Sequence, residues 1–176
     1  EAMIYDFGVE MVNDISAGDM DPQMHELIAE QNVAYVMMHM QGTPAVMQQN
    51  PTYDDVVGDI LRYFTQKVHT LREMGVTDLI IDPGFGFGKT PAQNMALIRD
   101  CRRFSHECYP VLIGVSRKST IGHYLDNAPV DARLYGSISL AALAAWQGAA
   151  IIRAHDIAAT RDALRIANAL RPTTQP

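Results

Sequence analysis

The stretch TDLIIDPGFGFGK, residues 77–89, runs from an apolar strand pattern directly into a glycine-rich loop. Leu79, Ile80 and Ile81 form the continuous apolar run expected of a strand buried on both faces, as in a parallel sheet. Asp82-Pro83-Gly84 then ends it. In α/β folds of this kind the C-terminal ends of the strands assemble the active site, so Asp82 is expected on a functional rim.

Working outward, four further runs read the same way: 9–15 (VEMVNDI), 33–38 (VAYVMM), 110–115 (PVLIGV) and 149–153 (AAIIR). Helical patterns separate them. The helix over 53–74 carries Val57, Ile60, Leu61, Phe64, Val68 and Leu71 on one stripe and stops at Gly75. Asp21 before Pro22 and Thr90 before Pro91 read as N-caps with proline in the first turn. Small-residue and mixed helices follow over 131–147, closed by Gly148, and over 157–170. Five consecutive β-α units result. Parallel strands with right-handed crossovers leave an open doubly wound sheet or a (β/α)8 TIM barrel. No Gly-x-Gly-x-x-Gly follows the first strand, which favours the barrel. A complete barrel takes roughly 250 residues and eight strands, so the chain is expected to supply about the last five β-α units. The domain then covers 1–170, and 171–176 is expected to fray. Residues 1–8 look like the end of a helix stopped by Gly8, as though the chain opens in mid-fold.

Composition narrows the function classes. A net charge of −6 over 176 residues argues against a broad nucleic-acid footprint, though a few focused cations can still hold a small anion. No apolar run approaches about 20 residues, and no signal-like start is visible, so neither membrane nor export is expected and the cytoplasm is the default. Cys101 and Cys108 lie seven apart on one predicted helix, roughly 10 Å, too far to bridge. The six histidines show no metal-ligand spacing. The loop over 39–52 is long for a β-α connection, as binding loops often are.

Each strand end carries a polar residue. Asp82 can accept paired hydrogen bonds from an amidine-like edge, or can simply shape a turn. Phe85 and Phe87 alternate with glycines that allow close backbone approach to a ligand, or they plug the core. Ser116-Arg117-Lys118-Ser119 leaves a strand for a helix, where either serine could cap and one of the two cations should be solvated. The same cluster also suits an anion or a carbonyl oxygen. Arg153 and His155, two apart, suit a phosphate near the last barrel strands, unless Arg153 merely pairs with Asp156. Asn13 offers donor and acceptor to a heterocycle edge. His39 reads as a supporting group.

The motifs VNDI (12–15), MHMQGTP (38–44), DPGFGFGK (82–89), GVSRKS (114–119) and IIRAHD (151–156), in this order and spacing, resemble those of the dihydropteroate synthases, pterin-binding TIM-barrel enzymes of folate biosynthesis. The resemblance runs from Val9 to Leu170. It implies a transferase that joins 6-hydroxymethyl-7,8-dihydropterin diphosphate to 4-aminobenzoate and releases pyrophosphate. On that resemblance Asp82, Lys118 and Arg153 would be catalytic. Asn13, Ile15, Met38, Asp82, Lys118 and Arg153 would bind the pterin, and Arg153 and His155 its diphosphate. Phe87, Lys118 and Ser119 would border the aminobenzoate pocket that sulfonamide inhibitors mimic. It further implies magnesium (Mg2+), held mainly by residues upstream of this chain, with no metal ligand in the chain itself, and a homodimer packed through late helices. About three more β-α units would precede residue 1, and the 176-residue chain alone would be inactive. The alternatives are a non-catalytic pterin-binding paralogue and a methyltetrahydrofolate-dependent methyltransferase-like barrel. An unrelated phosphate-binding barrel would require Asp82 to point away from the pocket.

Overall fold

The computed structural model describes residues 2–47, 49, 51–105 and 109–170. All five predicted strands form, but shorter: β1 Met11–Asp14, β2 Ala34–Met38, β3 Leu79–Asp82, β4 Leu112–Ile113 and β5 Ile151–Ile152. Every pairing is parallel. β1, β2 and β3 lie side by side in chain order, as do β4 and β5. A parallel bridge between Ile81 and Val111 joins the two groups, with the Ile81 N–H donating to the Pro110 carbonyl at 2.9 Å. A doubly wound sheet must reverse its strand order somewhere, whereas a barrel wall never does. The described strands therefore form an arc of a TIM barrel.

Strand alternation gives the arc two faces. Tyr35 and Met37 of β2, Leu79 and Ile81 of β3, and Val111 and Ile113 face the helices in one large core, with Ile60, Phe64, Leu71, Leu97, Phe104 and Ala144. Val36, Ile80 and Leu112, with Ile151 against them, form a separate small cluster on the opposite, lumen side. The register sets Asn13 beside Val36, Val36 beside Ile80, and Met38 beside Asp82. Asn13, Met38 and Asp82 consequently share the lumen face. Arg153, two residues beyond Ile151, continues that face from β5, and its N–H still donates to Ile113 at 3.0 Å.

The outer layer comprises α1 (Ala2–Phe7), α2 (Met24–Gln31), α3 (Val56–Glu73), α4 (Pro91–Arg99), α5 (Cys101–Ser105), α6 (Ser119–Tyr124), α7 (Leu134–Trp146) and α8 (Ile157–Ala169). Thr90 caps α4 as expected: its Oγ1 accepts from the Gln93 N–H at 3.2 Å, and Gln93 reciprocates on the Thr90 N–H at 2.8 Å. Asp21 does not cap α2. Its carboxylate accepts from the Gln23 N–H at 3.0 Å and its carbonyl from the Met24 N–H, so Pro22 sits in a turn ahead of the helix. The helix expected over 131–147 starts as a 3-10 turn, Val130–Arg133, before α7. Cys101 is buried on α5, while Cys108 and the tail 171–176 lie outside the described residues.

Candidate active site

Asp82 ends β3 with its side chain buried on the lumen face. Its Oδ1 accepts from the Gly84 N–H at 2.8 Å, a short local turn that fixes the carboxylate without exhausting it. Burial pushes the Asp82 carboxyl up; the Gly84 N–H and the positive charges of Lys118, Lys89 and Arg153 pull it back toward the ionised form. One carboxylate surrounded by three cations is an arrangement for recognising a heterocycle with a donor edge and an anionic substituent.

The glycine loop after β3 is built around Lys89, which sequence reasoning passed over. Its buried ammonium donates to the carbonyls of Phe87 (2.8 Å), Gly84 (3.0 Å) and His39 (3.3 Å) and lies 3.2 Å from His39 Nδ1. One cation thus ties the loop after β2 to the loop after β3. Burial pushes Lys89 down to about 7 against the pull of Asp82. His39, edge-on to Tyr63 at 5.0 Å between centroids, is held down to about 3 by burial, with the charge of Lys89 acting in the same direction. A neutral imidazole accepts at Nδ1 and carries its proton on Nε2. His39 is therefore a supporting group, as expected. Gly84 is indispensable: φ is +72°, and a Cβ would stand 1.9 Å from the His39 carbonyl oxygen. Asn94 of α4, fully buried, accepts from the Gly86 N–H at 2.7 Å and donates to Thr120 Oγ1 at 2.9 Å. A lone Lys closing a glycine run and an Asn on the inner face of a helix were the available signals.

Lys118 lies against this loop. Its stem packs over Gly86, and its ammonium sits 4.5 Å from the Phe87 ring centroid and donates to the Phe85 carbonyl. Burial brings Lys118 down to about 8, with Asp82 opposing and Arg153 assisting. Phe85 is a core plug and Phe87 is half-buried at the rim. Neither serine of Ser116-Arg117-Lys118-Ser119 caps α6, whose N-cap position is Lys118 without a side-chain cap. Ser116 Oγ instead accepts from the His155 N–H at 3.2 Å and lies 3.0 Å from His155 Nδ1. Of the two cations Arg117 is the solvated one, with 39% of its side chain exposed, and Arg117, not Arg153, pairs with Asp156, in two parallel bonds of 3.0 and 2.6 Å. Arg117 adopts φ +58°, in the left-handed region.

The structure thus brings Met38, Asp82, Phe87 and Lys118 together with Arg153, whose Nη1 approaches the Gly114 side of β4 at the lumen face. Asn13 joins that face from β1, with its side chain exposed. Ile15 lies one residue past the end of β1 and is 40% exposed, so only part of it could cover a pterin face. Arg153 and His155 are exposed at the rim. A cavity of about 320 Å³ opens behind the loop, lined by Gly86, Lys89, Asn94, Ser119, Thr120 and Arg133; of the expected aminobenzoate residues only Ser119 reaches it. Asp14, also unforeseen, faces the helices. Burial pushes its carboxyl up, but bonds from Ser16, Gly18 and Tyr35 more than compensate and hold it below the usual range. Among the described residues no group of three or more His, Cys, Asp or Glu side chains lies close enough together to hold a metal ion.

A family model described as "Pterin binding enzyme" matches residues 1–155. The chain is 42% identical over 164 residues to the dihydropteroate synthase of Escherichia coli (strain K12), covering 92% of this chain and 57% of that protein. It is 40% identical over 168 residues to that of Neisseria meningitidis serogroup B, covering 93% and 59%. Among solved structures, the Yersinia pestis dihydropteroate synthase with a sulfonamide drug superposes with a TM-score of 0.89 at 40% identity, over 94% of this chain and 60% of that one. The Xanthomonas albilineans enzyme with 4-aminobenzoic acid gives a TM-score of 0.86 at 36% identity, over 98% and 60%. The chain thus spans a little under three-fifths of the length of these curated relatives.

Proposed function

Because this chain belongs to the pterin-binding enzyme family, we propose that the protein containing it is a dihydropteroate synthase. It would transfer the dihydropterin-6-ylmethyl group from a diphosphate ester to the amine of 4-aminobenzoate. The observation that carries this reading is the buried Asp82 carboxylate, set on the lumen face among Lys118, Lys89 and Arg153.

Loss of pyrophosphate leaves a cation at the pterin methylene, delocalised into an electron-rich ring, so the protein's main task is to stabilise separating charge. Asp82 accepts the N–H edge of the pterin, and its negative charge favours the positive ring that develops. Asn13 reads a second edge. Lys118, whose ammonium points over Phe87, donates to the pterin carbonyl and ring nitrogen, while Met38 and Ile15 cover the faces. Arg153 and His155, exposed at the rim, take the departing diphosphate. The aniline nitrogen needs position more than activation, and Phe87, Lys118 and Ser119 supply its border. Sulfonamides would compete there. The magnesium proposed for this reaction would accompany the diphosphate.

A cytoplasmic homodimer completes the reading. Support comes from the apolar groove between α7 and α8, lined by Leu143, Trp146, Ile166 and Leu170. No helix among the described residues is long and apolar enough to cross a membrane. The test is pyrophosphate release by the full-length protein. Release is expected only when both the pterin diphosphate and 4-aminobenzoate are present. Pterin binding without release would support a non-catalytic paralogue instead, and methyl transfer from methyltetrahydrofolate would support the methyltransferase-like barrel.

A further inference from the structure

The loop after β4 and the loop after β5 are bolted together at two successive residues. Ser116 Oγ takes the His155 N–H, and one residue later the Arg117 guanidinium closes a two-bond fork on Asp156. Arg117 is held by two further hydrogen bonds and in an uncommon backbone conformation. Its N–H donates to Ser137 Oγ at 2.9 Å, its carbonyl accepts from Arg133 Nη1 at 3.0 Å, and its φ of +58° is one that L-residues adopt only when their surroundings impose it. Arg133 itself fits only because Gly122 lacks a side chain: a Cβ there would lie 2.8 Å from the Arg133 Nε. Ser137 is buried on α7 and donates to the Arg133 carbonyl at 2.7 Å, so the anchor is itself anchored. The residue so fixed immediately precedes Lys118 and Ser119.

Resting on the dihydropteroate synthase reading, we propose that Arg117 and Asp156 are a positioning pair that sets Lys118 and Ser119, on the amine side of the site, against Arg153 and His155, on the diphosphate side. The reacting bond lies between those two groups, and displacement of one against the other by about an ångström lowers the rate steeply. Asp156 pairs with Arg117 rather than with Arg153, so the pair leaves the rim arginine available to an anion.

The test uses the full-length protein with Arg117→Met, Asp156→Asn, the double substitution and Arg117→Lys. Two readouts are taken: steady-state kinetics in 4-aminobenzoate, and amide hydrogen exchange over residues 117–121. Each of the first two single substitutions is expected to raise KM for 4-aminobenzoate about tenfold and to speed exchange at Ser119–Ile121 by a similar factor, with the double no worse than either single. Arg117→Lys, which keeps the charge but loses the fork, should fall between wild type and Arg117→Met. The pairing is overturned if the two losses multiply in the double, if KM and exchange stay at wild-type values, or if Arg117→Lys is no better than Arg117→Met. Should the wild type release no pyrophosphate, the substrate assignment fails by itself, and the exchange measurements still decide whether the pair holds the loop.

Discussion

His39 and Lys89 show how a single contact can carry both stability and pH response. The folded protein holds the imidazole neutral, down to about 3, against an ordinary value of 6.5. As pH falls through about 6.5 the unfolded chain takes up a proton that the folded one refuses, so stability is lost from there down toward about 3. Thermal melts between pH 7.5 and 5 should therefore decline more steeply for wild type than for His39→Asn, which keeps an acceptor near Nδ1; equal slopes would contradict the assignment. Lys89 acts in the opposite pH range. Folded, it titrates near 7 against 10.5 unfolded, so the unfolded state binds more protons between those values and stability rises with pH across them. Lys89→Met would strand the carbonyls of His39, Gly84 and Phe87 without their donor, at a cost of roughly 3 kcal/mol in denaturant unfolding. Asp82 and Lys118 were legible as site candidates because each sits where an apolar strand run stops. Lys89 and Asn94 were not: burial of a polar side chain depends on which distant carbonyls and hydroxyls surround it, and no local pattern encodes that.

Among the elements, the loop from Pro83 to Lys89 is the one whose geometry the site depends on. Gly84→Ala must displace the β2 end, because its new methyl would overlap the His39 carbonyl. The expected cost is about 2–4 kcal/mol, with pterin binding lost alongside; a variant as stable as wild type would show the loop to be free to shift. Thr90→Ala removes only a capping box and should cost about 1 kcal/mol, leaving ligand binding intact. Both helix starts carried the same Xaa-Pro signal, yet only Thr90 caps. Asp21 spends its carboxylate on a turn two residues ahead of the helix, an alternative that the dipeptide serves equally well. Strand ends were easier to place than strand lengths. β4 and β5 shrink to two residues each, losing residues at both ends of the expected runs.

For the molecule as a whole, the sequential parallel order converts five separate strand ends into one rim; the repeated β-α pattern foretold parallel strands but left a doubly wound sheet and a barrel open, and only the strand order separates them. The described arc leaves β1 and β5 each with one side outside any ladder among the described residues. The α7–α8 groove exposes Leu143, Ile166 and Leu170, and Ile166→Glu is expected to shift the proposed homodimer to monomer in sedimentation experiments while leaving unfolding nearly unchanged. An unaltered mass would move the interface elsewhere. The shared lumen face of Asn13, Met38, Asp82 and Arg153 is tested most directly by calorimetric titration of the pterin diphosphate into full-length wild type and Asp82→Asn. Loss of a buried charge-assisted bond should weaken binding by at least about 2 kcal/mol, roughly thirtyfold. Equal affinities for the two proteins would mean that no pterin edge rests on Asp82.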